Sequence, residues 1–121
     1  MSQTFTIPGS PLPDLEAYET EGFTPYMQSV ITHSSEDIVN RYAKEGGVTP
    51  CARPVCLRIK WVEPNRQRTI EDIYFASRFI ISGLVKACIL RASSPEHIKQ
   101  TIQEVEYDVS NPRIEVFLED A

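Results

Sequence analysis

Three cysteines and two histidines are the side chains of this sequence best suited to soft-metal binding or nucleophilic chemistry. Cys51 and Cys56 are separated by four residues, and no second cysteine pair accompanies them, so their spacing is a poor signal for zinc. Neither His33 nor His97 lies at zinc-finger spacing from these cysteines, and neither has a nucleophile beside it in the sequence. An odd number of cysteines without a secretion signal predicts free thiols that are buried or half-buried.

Charged residues are distributed unevenly along the chain, which has a formal net charge of −5. Residues 1–50 contain seven acids and two bases, residues 51–100 contain nine bases and four acids, and residues 101–121 contain six acids and one base. The basic middle could form a nucleic-acid-binding patch. The candidate residues for such a patch are Arg58, Lys60, Arg66, Arg68 and Arg78. The alternative is a solvated face on which these cations pair with nearby acids.

Composition indicates an ordinary globular protein, with 41% hydrophobic and 24% charged residues in 121 positions. This length predicts a single domain over residues 1–121 that can bury a core without disulfides or metal. No run of 18 apolar residues occurs, and the first residues have neither a basic start nor an apolar stretch. We therefore expect a cytoplasmic protein with no membrane partner.

Apolar spacing predicts a small α+β fold. Alternation over Val55–Val62 predicts the clearest strand, and apolar residues at helical spacing from Ile70 to Ala87 predict the clearest helix. The other predicted elements are a strand at Thr4–Ile7, a helix at 26–44, a short helix from Ser94 through Lys99, and strands at 102–109 and 113–118. The order β-α-β-α-β-β predicts a small mixed sheet with two main helices on one face.

Local signals add detail to the first helix and to the segment before it. Residues 8–25 contain four prolines and predict a loop with a short turn near Leu15–Tyr18. The sequence Ser34-Ser35-Glu36-Asp37 is typical of a capping box, which leaves the helix start open between Tyr26 and Ser34. Gly46-Gly47 predicts where this helix ends.

Several segments together resemble the RusA-like family of phage Holliday-junction nucleases. They follow the order of that family and span roughly residues 4–118. The segments are Phe5–Gly9, Leu12–Tyr18, Trp61–Arg68, Ile73–Ala87 and Asn111–Val116. The resemblance implies a homodimeric, magnesium-dependent endonuclease that cuts four-way DNA junctions. It also implies acidic metal ligands just after the basic turn and again after the long helix.

The positions that carry those acids in the family differ in this sequence. The first aspartate of the family's Asp-x-Asp-Asn motif aligns with Thr69, the second with Glu71, and the asparagine with Asp72. The later acidic pair aligns with Ser93 and Ser94. Magnesium prefers carboxylate oxygens, and its catalytic role in phosphodiester hydrolysis needs several of them at one point. Hydroxyl groups at these positions therefore predict weak magnesium binding or none.

The DNA-facing segments of the family are altered as well. The lysine pair of the family's helix is reduced to one cation, Arg78. Residues 14–24 carry four acids and no base, where the resembled branch is rich in arginine and lysine. The acids are Asp14, Glu16, Glu19 and Glu21. Phosphate contacts dominate nucleic-acid affinity, so this change predicts weaker DNA binding. The aromatics Tyr18, Phe23 and Tyr26 could stack on bases or pack against the core.

Glu71 and Asp72 support two interpretations. In the first, they are a reduced catalytic and metal site that Glu96 completes from outside, with magnesium as the cofactor. In the second, they are acids in the first turn of the helix that begins at Ile70, where the helix dipole favours negative charge. We favour the second interpretation, in which the protein has no metal cofactor.

Lost ligands and an acidic loop together predict a phage or prophage protein of RusA-like ancestry that acts as a non-catalytic binding protein. One version is an inhibitor whose acidic ends contact a basic groove on a host nucleic-acid-handling or defence protein. Two alternatives stay open. The first is an active junction endonuclease with a rearranged carboxylate site, and the second is a binder of branched DNA that does not cut. The resemblance also implies a homodimer.

Overall fold

Two helices follow each of the first two strands, and the last two strands are consecutive. A computed structural model describes residues 2–121, which form four strands and four helices. In chain order these are β1 (Gln3–Pro8), α1 (Leu15–Glu21), α2 (Pro25–Glu45), β2 (Val55–Glu63), α3 (Ile70–Phe75), α4 (Ser77–Lys86), β3 (Ile98–Tyr107) and β4 (Arg113–Asp120).

β2 is a central strand with a differently oriented neighbour on each side. β3 pairs with it in parallel and β4 pairs with it antiparallel, while β1 pairs antiparallel with β4. The strand order within residues 2–121 is β1-β4-β2-β3. The register places Leu57 opposite Leu118 and Ile59 opposite Val116, so apolar side chains of neighbouring strands share one face. This mixed sheet confirms the α+β prediction.

The apolar face of the sheet forms the core together with the helices. Alternate residues of β1, β2 and β4 are buried there against residues of α2, α3 and α4. Trp61 and Phe79 are the largest of the fully buried side chains. Trp61 keeps a partner for its indole, because Nε1 donates to Oε1 of Gln103 at 2.8 Å. The helices therefore cover one face of the sheet, as predicted.

α2 begins earlier than its capping signal indicates. Thr24 caps the helix by accepting a hydrogen bond from Met27 N at 3.1 Å, and Pro25 occupies the first turn. The predicted helix at 26–44 is therefore confirmed, and of the two starts left open the one near Tyr26 is right, because α2 runs through Ser34 without a break. Ser35 instead donates its hydroxyl to the carbonyl of Ile31 at 2.7 Å, a bond that a buried serine can make inside a helix.

Three other predicted elements differ from the structure. The turn near Leu15–Tyr18 is part of α1, a full helix. The helix predicted for Ile70–Ala87 is interrupted at Ala76, whose ψ of −8° tightens the turn between α3 and α4. The helix predicted from Ser94 through Lys99 is a turn, since His97 N and Ile98 N both donate to the carbonyl of Ser94. Ile98 already pairs with β2, so strand pairing ends that turn before a helix can form.

The contact between α2 and α4 depends on Gly83. A Cβ atom added at Gly83 would lie 2.7 Å from Cβ of Val39 and 3.3 Å from the carbonyl oxygen of Glu36. Both Gly83 and Val39 are buried, so neither neighbour can move into solvent. The glycine therefore permits the close approach of the two helices.

The substitution Gly83→Ala should destabilise the fold by about 1–3 kcal/mol through overpacking, even though alanine favours helices. Urea unfolding followed by circular dichroism measures this change. The variant Val39→Ala in the Gly83→Ala background should recover only a small part of the loss, since it removes Cγ1 at 2.9 Å but keeps the Cβ atom at 2.7 Å. A stabilised Gly83→Ala variant would show that the helices are not held this closely.

Candidate functional site

The corner where β2 ends holds a buried carboxylate. The Glu63 side chain is only 4% exposed, and Arg68 binds it through two parallel contacts of 2.7 Å, Nε to Oε1 and Nη2 to Oε2. This bidentate pairing raises the pKa of the Arg68 guanidinium above its ordinary value, chiefly through the hydrogen bonds to Glu63. Arg68 therefore keeps its charge at every pH at which the protein is folded.

Asp14 joins the same ion-pair network from the other side of the corner. Its Oδ2 lies 3.2 Å from Nη1 of Arg68, while its Oδ1 accepts a hydrogen bond from Ala17 N at 2.8 Å and so caps α1. The carbonyl of Glu63 accepts a further bond from Asp108 N at 2.9 Å. Three separate segments of the chain thus meet at Glu63 and Arg68. Arg68, a candidate for nucleic-acid binding, therefore donates its hydrogen bonds to carboxylates within the fold.

The positions aligned with the first family motif lie at the start of α3. Thr69 is the N-cap of that helix, and its hydroxyl accepts a hydrogen bond from Asp72 N at 3.2 Å. Glu71 is exposed and Asp72 is half-buried, and both lie in the first turn. This arrangement has the form of a capped helix start with favourable first-turn charges.

The positions aligned with the second motif lie at the other end of the sheet. Ser94 accepts a hydrogen bond from Ile98 N, and Ile98 is paired with Val55, the first residue of β2. Glu71 lies three residues after Arg68, which binds the last residue of β2, whereas Glu96 lies two residues before Ile98, which pairs with the first residue of β2. Ser93 precedes the same turn as Glu96. In the described part of the chain, no group of three or more histidine, cysteine, aspartate or glutamate side chains is placed to hold a metal ion.

Two cations of β2 lie on the sheet face opposite the helices, flanked by acids from both neighbouring strands. Arg58 lies 3.6 Å from Glu104 of β3 and 3.5 Å from Glu119 of β4. Lys60 lies 3.4 Å from Glu106 and 4.0 Å from Glu115. The nucleic-acid-binding candidate Lys60 therefore sits between two carboxylates, which reduces the attraction that this face offers to phosphate.

The two remaining cationic candidates contact aromatic rings instead of acids. The guanidinium of Arg66 lies 4.5 Å from the ring centre of Tyr107. Arg78 lies 4.3 Å from the ring centre of Phe75 and 5.9 Å from that of Tyr18. Arg78 belongs to α4, on the helical side of the sheet, whereas Lys60 projects from the opposite face. The structure therefore does not bring the five candidates together on one surface.

The cysteines are free thiols in the described residues, as predicted. Cys51 and Cys56 are half-buried, but Cys88 is exposed, so the expected burial is wrong for that residue. Burial raises the pKa of the Cys51 thiol. A neutral thiol is a poor metal ligand and a poor nucleophile, so Cys51 is unsuited to either role.

Exposed apolar side chains form a stripe at the start of α2. Tyr26, Met27 and Val30 belong to α2, where Val30 lies one turn after Tyr26 and Met27. Phe23 lies just before Thr24, the N-cap of the helix. Phe23 is 74% exposed and Tyr26 is 78% exposed. The buried residues of α2 (Ser35, Val39 and Ala43) all lie further along the helix. The expectation that these aromatics pack on the core is right for Tyr18, which contacts Phe75, but wrong for Phe23 and Tyr26.

Acids of α1 directly precede this apolar stripe in the chain. Glu16, Glu19 and Glu21 of α1 are exposed, and the sequence contains no lysine or arginine before Arg41. We name the stripe and these three glutamates together the α1–α2 surface. Sequence reasoning noted the acids but missed the apolar stripe, although its spacing was a usable signal.

Two comparisons with known proteins give no match that would assign these sites. A scan against models of protein families finds no match to this chain. A search among curated proteins likewise finds no significant match. No helix within residues 2–121 is both long enough and apolar enough to cross a membrane. The sites must therefore be interpreted from their geometry.

The variant Arg68→Gln should lose about 3–5 kcal/mol of stability, because it leaves the buried Glu63 carboxylate without its guanidinium. Arg66→Gln is the matched control, and it should cost less than about 1 kcal/mol since Arg66 contacts only the ring of Tyr107. Urea unfolding measures both. Equal unfolding midpoints for the two variants would show that Arg68 is available to bind a ligand.

Proposed function

We propose that this chain is a non-catalytic binding protein, a RusA-like phage protein without nuclease activity, whose α1–α2 surface docks on a basic region of a host nucleic-acid-handling protein. The observation that carries the proposal is the exposed apolar stripe at the start of α2, which follows the exposed glutamates of α1. Large exposed apolar side chains in a row are uncommon on a protein without a partner. We expect the complex to form in the bacterial cytoplasm.

The composition of the α1–α2 surface supports a basic protein as the partner. Aromatic anchors with a charged rim are the usual anatomy of a protein interface, in which a few aromatic residues supply most of the affinity. Phe23 and Tyr26 are such anchors, and Glu16, Glu19 and Glu21 are such a rim. Nucleic acid is a poor partner for this surface because it would meet acids and no cation.

The placement of the aligned ligand positions supports a non-catalytic role. Thr69, Glu71 and Asp72 lie at one end of β2, and Ser94 and Glu96 lie at the other. A two-metal or one-metal phosphodiesterase needs its carboxylates within a few ångströms of one point. The proposed homodimer offers the remaining route by which distant acids could meet.

The double variant Phe23→Ser/Tyr26→Ser should reduce partner capture at least about tenfold, as expected for the loss of two aromatic anchors. The chain is immobilised, exposed to a nuclease-treated bacterial lysate, and the retained proteins are identified. Val109→Ser is the matched control, because Val109 is 81% exposed in the loop between β3 and β4. The proposal requires that a nucleic-acid-handling protein be retained, and that adding the DNA or RNA to which this protein binds release it from the immobilised chain. Equal capture by both variants would place the interface elsewhere.

The rim acids should control the association rate. Glu19→Gln/Glu21→Gln should slow association with the captured partner several-fold and flatten its salt dependence, since rim charges steer encounter. Glu71→Gln/Glu96→Gln removes the same charge outside the α1–α2 surface and should leave the rate unchanged. Surface plasmon resonance at several salt concentrations measures both. A salt-independent rate for the unmodified chain would contradict the charge argument.

A synthetic four-way DNA junction with magnesium or manganese should remain uncut by the unmodified chain. The variant Thr69→Asp/Ser94→Asp should also be inactive, because the two introduced carboxylates lie at opposite ends of β2. Gel electrophoresis of labelled junction strands measures cleavage. Cleavage by the unmodified chain that disappears in Glu71→Ala would overturn the proposal and identify a junction endonuclease.

A further inference from the structure

A cleft opens at the end of the sheet where β2 and β3 begin. It has a volume of about 290 Å³ and lies between the segment 51–54 and the segment 90–97. Backbone hydrogen bonds hold the two walls together, from Cys51 N to Ile89 O at 2.8 Å and from Val55 N to His97 O at 2.9 Å. The cleft is therefore a fixed feature of the fold and lies at the opposite end of β2 from Glu63.

Two arginines and a histidine line this cleft, and Arg53 also interacts electrostatically with Asp120. Arg53, Arg91 and His97 contribute to its walls, and Lys99 follows on β3. Within residues 2–121, neither arginine has a carboxylate oxygen within 4.0 Å. The other arginines of the sheet region differ, since Arg58, Arg68 and Arg113 each contact two carboxylates.

Carboxylates are present near the cleft but do not neutralise it. Glu96 is part of the cleft wall, and Asp120 lines a neighbouring groove that shares Arg53. A carboxylate beside two guanidinium groups and an imidazole has the surroundings of an anion site. This arrangement is the reverse of what a magnesium site needs, because a divalent cation would meet like charges.

We propose that this cleft binds a phosphate group, with Arg53 and Arg91 as the principal ligands. A guanidinium presents parallel N–H donors that match two phosphate oxygens, and His97 can add a donor from its ring. The volume suits one phosphate-bearing group. A small phosphorylated compound or a terminal phosphate fits better than an extended nucleic acid, because acids elsewhere on this chain of net charge −5 repel a polyanion. This inference does not depend on the proposed function.

Titration of the isotope-labelled chain with sodium phosphate at constant ionic strength, followed by NMR, tests the proposal. Saturable shifts should be confined to residues 51–55 and 90–98. Arg91→Gln should weaken binding about tenfold, as expected for the loss of charge-assisted hydrogen bonds, and Arg53→Gln/Arg91→Gln should abolish it. Glu96→Gln should tighten binding about threefold, because it removes a repelling charge. The spectrum of each variant verifies its folding.

The variant Arg66→Gln is the matched control, since it removes the same charge at the far end of β2. Phosphate binding should be unchanged in this variant. An equal loss of affinity in Arg66→Gln and Arg91→Gln, or shifts that never saturate, would overturn the proposal by showing only general charge attraction.

Two further probes distinguish the sources of the phosphate. Adenosine monophosphate and a 5′-phosphorylated single-stranded oligonucleotide should bind in a manner that depends on Arg91, while the same oligonucleotide without its 5′-phosphate should not. If the oligonucleotides with and without the 5′-phosphate bind equally, and both depend on Arg91, the cleft binds a phosphodiester group of the backbone and not the terminal phosphate. If all three probes bind the Arg91→Gln variant as well as the unmodified chain, the cleft is not the binding site.

Discussion

A carboxylate buried at the end of the central strand constrains the rest of this structure. Burying Glu63 without a partner would cost about 3–5 kcal/mol, a large share of the stability of a domain this size. The chain must therefore turn back within five residues so that Arg68 can reach it. Asp14 then fixes α1 against the same guanidinium. The start of α3 and the path of α1 are tied to this ion-pair network, and the turn at Asp108 is held separately by the backbone carbonyl of Glu63.

The elements that sequence alone predicted well are those whose periodicity and burial agree. Alternation in β2 and helical spacing in α4 each reflect one buried face, so both were found. Signals that involve only local hydrogen bonding failed where tertiary pairing competed with them. Ser34 and Pro95 carry good start signals, but α2 is already helical at Ser34, and β3 needs Ile98 for its bond to β2. No local rule contains the information that β3 pairs along the whole of β2.

The candidate site illustrates a different limit. The sequence identified Glu71, Asp72 and Glu96 as acids near the positions that resemble the family's metal-binding motifs. It also allowed Glu71 and Asp72 to be first-turn acids that the helix dipole favours. Their separation follows from topology. The helical connection between two parallel strands leaves the end of the first strand and enters the start of the second, and these two points lie at opposite ends of the sheet. The pairing of β2 with β3 is parallel, so Glu96 lies far from Glu71. Neither spacing nor composition reveals whether two strands will be parallel neighbours.

Charge is segregated along the axis of β2, and this segregation limits what the molecule can bind. The α1–α2 surface lies near Glu63, where α1 is held by Arg68, and it carries exposed acids. The cleft with Arg53 and Arg91 lies at the other end. Between them, Arg58 and Lys60 already face four glutamates. A long polyanion laid along the strand would meet attraction, neutrality and then repulsion. A basic protein at one end would meet mainly acids, and a small anion at the other would meet mainly guanidinium groups. The electrostatics of the fold therefore favour two separate short-range contacts over one continuous nucleic-acid groove.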